Sequence, residues 1–128
     1  MNRNAMLFGI LGVGAFALLL SKRTPSLPSG MTGFITTVDA DIPNTSPLPG
    51  VTVSIGPGEY ADGWVPVLSH IVARGVTGFY GELHLIFAPG DYYVIYECPG
   101  FQTVSWGGLV TFVANEWRFF SNISMSAI

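Results

Sequence analysis

Between the pairs Pro89-Gly90 and Pro99-Gly100 lies the run Asp91-Tyr92-Tyr93-Val94-Ile95-Tyr96-Glu97-Cys98. Proline fixes one backbone dihedral and glycine accepts a left-handed one, so each pair marks a chain reversal. A run this short between reversals suits a strand better than a helix. Alternation puts Tyr92, Val94, Tyr96 and Cys98 on one face and Tyr93, Ile95 and Glu97 on the other. The first set reads as a core face, with Cys98 a small apolar filler. A site built around the chain's single cysteine is the weaker reading.

The same punctuation recurs from Met31 onward. Strands are expected over residues 32–38, 51–55, 70–77, 82–87, 92–98, 108–114 and 117–125, separated by Gly, Pro, Asn and Asp clusters. Val51, Val53 and Ile55 share one face, as do Leu83, Leu85 and Phe87. In the last strand, alternation offers Trp117, Phe119, Ile123 and Met125 to the core. No segment of this body has a helical period. Seven short strands at this spacing predict an all-β sandwich over residues 31–128.

The order of the turns then resembles a known family. Pro47-Leu48-Pro49-Gly50-Val51-Thr52-Val53 is similar to the entry motif of carboxypeptidase regulatory-like domains, whose sandwich is transthyretin-like (prealbumin-like). Thr77-Gly78-Phe79-Tyr80-Gly81, Ala88-Pro89-Gly90-Asp91-Tyr92 and Pro99-Gly100-Phe101-Gln102-Thr103 resemble its next three landmarks in the same order. The resemblance covers roughly residues 32–105, departing at Gly78 and in an enlarged 56–69 loop. It implies an accessory domain that packs beside other proteins and is not itself an enzyme.

Ahead of the body, Ala5–Leu20 is sixteen residues without a charge. As a helix it is about 24 Å long, somewhat short of a ~30 Å hydrocarbon core. Arg3, Lys22 and Arg23 flank it and reach outward. Residues 1–23 are therefore expected to form an anchor helix, with Ala5, Leu7, Phe8, Ile10, Leu11, Val13, Phe16, Leu18, Leu19 and Leu20 facing lipid or a hydrophobic assembly. A cleaved signal peptide competes, but no small-x-small cleavage site follows Leu20. Residues 24–30, with Pro25 and Pro28, read as an extended linker. The body is expected on the extracytoplasmic or particle-exterior side.

Charge narrows the partners. Residues 30–128 carry Arg74 and Arg118 against eight acids, a formal −6 without one lysine. Such a surface repels phosphate backbones, so no nucleic-acid partner is expected. Ten charges in 99 residues is sparse against roughly a quarter in ordinary domains, which points to subunit or lipid contact.

Relatives of the fold that carry chemistry set requirements that this body does not meet. Isopeptide-forming repeats need an early-strand lysine, absent from this body. Iron sites of the intradiol type need two closely spaced histidines, whereas His70 and His84 are fourteen apart. Asp39 with Asp41, and Glu59 with Asp62, are too few oxygens for calcium. No catalytic residue, metal ligand or cofactor is expected. Tyr60, Trp64 and Trp106 are the candidate contacts to a glycan, another ligand or a partner. The resulting expectation is a non-enzymatic, membrane-anchored structural module of a cell-envelope, surface-filament or virion assembly, with a glycan-binding accessory module as the alternative.

Overall fold

The computed structural model describes residues 26–41, 46–60, 65–106 and 108–128. The expected anchor and the first part of the linker lie outside them, as does Trp64. Among the described residues no helix is long and apolar enough to cross a membrane.

The described chain is all strand and turn. Its elements are β1 (Thr32–Ala40), β2 (Ser46–Pro47), β3 (Thr52–Gly56), β4 (Gly58–Glu59), β5 (Val67–Leu68), β6 (Ala73–Val76), β7 (Glu82–Phe87), β8 (Gly90–Glu97), β9 (Val104–Ser105), β10 (Val110–Phe112) and β11 (Trp117–Met125). The seven longer strands fall on the seven expected from alternation. The four two-residue strands were not expected, because two residues carry no periodic signal.

In the first sheet β1 is central. β11 runs parallel along one edge of it, and β7 runs antiparallel along the other over Thr32–Thr37. β2 continues that second edge at Asp39 and Ala40. The second sheet is antiparallel in the order β10-β8-β3-β6, with β9 continuing the β10 edge of β8. β4 and β5 form a separate small hairpin.

The two inner faces meet in one core. Phe34 and Val38 of β1, Phe87 of β7 and Phe120, Ile123 and Met125 of β11 face Val51, Val53, Ile55, Val94, Tyr96, Val110 and Phe112 from the second sheet. Phe34 meets Phe112 and Phe120 edge-on at 5.5 and 5.2 Å, and Phe87 meets Phe112 at 5.0 Å. Edge-to-face geometry favours such rings beyond their burial. Tyr92, Val94, Tyr96 and Cys98 point inward as expected, Cys98 half-buried against the core.

One expectation about the core is corrected. Trp117 and Phe119 lie on the outer face of the first sheet, and Phe120 takes the core position. The reason is a β-bulge: Thr36 pairs with Phe120 but Val38 pairs with Ile123, so two residues of β11 oppose Thr37 alone. Asn122 absorbs the extra residue at φ 56°, a conformation asparagine tolerates better than most. Side-chain parity flips across the bulge, and strict alternation fails there.

Two adjacent threonines of β1 serve this bulge. On the outer side, Thr37 Oγ1 accepts the Asn122 N–H at 2.8 Å. On the inner side, the Thr36 hydroxyl donates to the Phe120 carbonyl at 2.9 Å. That uses the only Thr36 hydroxyl proton, so the Tyr96 hydroxyl, 2.8 Å away, donates to Thr36 Oγ1. The chain Tyr96–Thr36–Phe120 thus ties the centre of one sheet to the other through buried side chains. Burial pushes the Tyr96 hydroxyl pKa above the ordinary tyrosine range, opposed in part by its bond to Thr36.

Removing one member of this chain tests it. Tyr96→Phe should cost about 1 kcal/mol, whereas Thr36→Val should cost about 2–3 kcal/mol because it orphans both the Tyr96 hydroxyl and the Phe120 carbonyl. Urea unfolding of the two single variants and the double variant measures the difference. The Tyr96 contribution should be fully present below about pH 10 and lost as pH rises further, since the unfolded chain releases that proton first. Tyr96→Phe should flatten that alkaline slope.

Candidate functional site

The sandwich has two poles. The chain enters at one, where Gly30 N–H donates to Asn115 Oδ1 at 2.9 Å and Asn115 N–H donates to the Met31 carbonyl. β1 then runs nine residues, about 30 Å, to the far pole. There Thr37 pairs with Glu82 and Thr52 pairs with Glu97, so the turns at 78–81 and 99–100 lie at that end.

Thr77 organises the far pole. Its hydroxyl accepts the Val51 N–H at 2.9 Å and donates to the Leu48 carbonyl at 2.8 Å. Its own N–H donates to the Val51 carbonyl, and its carbonyl accepts the Gly50 N–H. One buried threonine therefore fixes the Pro47–Val51 turn. The next residues close a tight turn through Gly81 N–H to the Gly78 carbonyl at 2.8 Å. Gly81 is at φ +71°, and a side chain there would collide with the Val38 carbonyl.

This turn projects Phe79 and Tyr80 outward. They meet edge-on at 5.1 Å and are 76% and 47% exposed. A pair of exposed aromatics on a hydrogen-bonded turn is a rigid contact point, costing little entropy to order. The sequence pattern hides it, because Gly78-Phe79-Tyr80-Gly81 reads as part of a turn motif. The signal that could have found it is two large apolar side chains in a turn, a place that favours polar residues.

The residues expected to contact a ligand do not converge. Tyr60 is exposed and packs edge-on against Tyr93 at 5.5 Å, on the outer face of the second sheet. Trp106 stacks on the core residue Phe120 at 4.1 Å and 25°. Arg118 lies 5.8 Å from the ring of Phe120. Trp106 therefore covers Phe120 with one ring face while remaining 44% exposed, as Tyr60 is, and the two rings rest on different partners. An open depression of about 500 Å³ on the second sheet is lined by Thr52, Arg74, Glu97, Cys98, Pro99 and Thr103, none of them the predicted aromatics. Arg74 Nε donates there to Ser54 Oγ at 3.0 Å.

His84 Nε2 lies 3.3 Å from Glu82 Oε1, with both side chains largely covered. Asp41 accepts a hydrogen bond from the Ser126 hydroxyl at 3.1 Å, and Asp39 sits on β1 opposite Ser124. Among the described residues no three His, Cys, Asp or Glu side chains come together as metal ligands.

No protein-family model matches the sequence, and no curated protein matches it. Solved structures do share the fold. One is the minor pilin GBS52 of the Gram-positive pathogen Streptococcus agalactiae, at a TM-score of 0.51 and 14% identity over 78% of this chain and 46% of that one. Another is 3-chlorocatechol 1,2-dioxygenase from Rhodococcus opacus, at a TM-score of 0.51 and 10% identity over 80% of this chain and 62% of that one. This chain thus spans less than two thirds of either. At such identities the likeness is one of fold, a β-sandwich. It also corrects the expectation of a non-enzyme: an enzyme shares this architecture as closely as a pilin does, so the sandwich does not set the chain apart from catalysts.

The packing role of Trp106 has a measurable consequence. Trp106→Ala should lower stability by about 1–3 kcal/mol through loss of the ring stacked on Phe120. Tyr60→Ala, removing a ring that meets Tyr93 only edge-on at 5.5 Å, should cost under about 1 kcal/mol. Chemical denaturation of both variants checks the order.

Proposed function

We propose that this chain is a membrane-anchored structural module, contributing a β-sandwich interaction domain to a cell-envelope, surface-filament or particle assembly. On this reading residues 5–20 hold it to a bilayer or apolar assembly, and the body lies on the extracytoplasmic or exterior side. The observation that carries the proposal is the exposed Phe79–Tyr80 turn, rigidly held at the pole opposite the chain's entry. An anchored module of this shape presents that pole outward, where another subunit meets it. The sparse charge of the body supports burial against neighbours. A minor pilin built on a similar sandwich supports an assembly role.

The finer assignment, a transthyretin-like domain of the carboxypeptidase regulatory-like kind, belongs to the same proposal. It is supported by the ordered turns at Pro49-Gly50, Thr77-Gly78, Pro89-Gly90 and Pro99-Gly100 and by the bonding of Thr77.

A second reading, glycan or ligand binding, draws on the exposed Tyr60 set edge-on against Tyr93. Polysaccharide pull-down that is lost in Tyr60→Ala would favour it.

Gentle detergent extraction of the full chain, followed by native mass measurement, tests the assembly reading. The wild type should travel in a complex of several subunits. Phe79→Ser with Tyr80→Ser should release it as a smaller species at an unchanged melting temperature. A full chain that is monomeric and freely soluble without detergent would overturn the proposal.

A further inference from the structure

The outer face of the first sheet is graded along its length. Across the rows nearest the chain entry, Ile86, Gly33 and Trp117 lie side by side, followed by His84, Ile35 and Phe119. The Trp117 ring packs over Gly33, where any side chain would collide with it. Trp117 is half-buried, and Ile86 and Phe119 are 44% and 55% exposed. Beyond the bulge the same face becomes polar, with Thr37 beside Glu82 and Asp39 beside Ser124. The apolar end is thus a platform made possible by the parity flip in β11, and no other strand covers it among the described residues.

The length of chain outside the described residues says what can cover it. Leu20 and Ser26 are six residues apart, so at full extension they are at most about 20 Å from each other. The apolar platform begins two residues after Met31, at the very pole the linker enters. Trp117 sits beside Ile86 and Phe119 with the His84 ring edge-on at 6.2 Å, and His84 is in turn paired with Glu82. A tryptophan flanked by apolar and polar groups, without nearby lysine, suits the interfacial zone of a bilayer. From this geometry we infer that the Ile86–Trp117–Phe119 end of the first sheet rests on the lipid interface of the membrane that holds residues 5–20. The inference rests on the anchor reading above and adds a second, peripheral contact to it. The polar, acidic end of the face then points away from the lipid, and the body leans on the membrane by one face.

The test uses the full chain in phosphatidylcholine vesicles with and without bromine on the upper acyl carbons. Flotation reads the anchor, and bromine quenching of tryptophan emission reads the platform. The wild type should float and be quenched; Trp117→Phe should float with most of that quenching lost. Phe119→Ser, altering an exposed side chain, should float and keep its circular dichroism while the quenching weakens. Flotation with equal quenching in wild type and Trp117→Phe would overturn the platform and leave the anchor standing. Failure to float would overturn both. Flotation of the wild type without quenching would also overturn it, and cross-linking of two copies through Phe119→Cys would then assign the face to a second copy of the chain.

Discussion

The two sheets are held in register at their centre by one buried hydroxyl. Thr36 stands between the Tyr96 hydroxyl and the Phe120 carbonyl, accepting from one and donating to the other. Both partners are inside a core otherwise made of rings and branched aliphatics, where an unanswered polar group costs more than a bond gains. The arrangement therefore works as a key. β8 and β11 cannot slide past β1 without leaving at least one of these groups unpaired. Apolar packing alone tolerates such slippage; a directional bond does not.

The same threonine also stabilises the bulge. A bulge frees backbone groups on the strand that carries it, and here Thr36 and Thr37 reach them from opposite faces of β1. The bulge in turn changes the face that β11 offers. Its second half gives Ile123 and Met125 to the core, while its first half turns Trp117 and Phe119 outward. One strand thereby serves the interior at one end and the surface at the other.

The bulge also separates what is readable in the sequence from what is not. Alternation locates seven strands because most have one wetter face and one drier face, and Val51-Thr52-Val53-Ser54-Ile55 is as clear as such a pattern gets. The turn order is readable because proline and glycine have local dihedral preferences that survive any tertiary context. The inward face of β11 is not. Ser121-Asn122 carries no mark that distinguishes a bulge from two ordinary strand residues, and Thr37, which supports it, lies 85 residues away in the chain. Tyr60, Trp64 and Trp106 group together in sequence because all are aromatic and near loops. Proximity to a loop cannot reveal that Trp106 lies flat on Phe120. The Phe79–Tyr80 pair is legible as composition, yet its exposure depends on a turn closed by Gly81 on Gly78 and held by the Val38 N–H on the Gly81 carbonyl.

The central place of β1 has a mechanical side. The chain enters at its first residue, and the aromatic turn stands beside its far end. A pull between the linker and that turn acts along β1, parallel to the strand axis. Its rungs to β7 and β11 then share the load together, since none can open before its neighbours shift. A sandwich entered at right angles to its central strand would open one rung at a time. This one is loaded in shear, the orientation in which a short stack of hydrogen bonds is hardest to part.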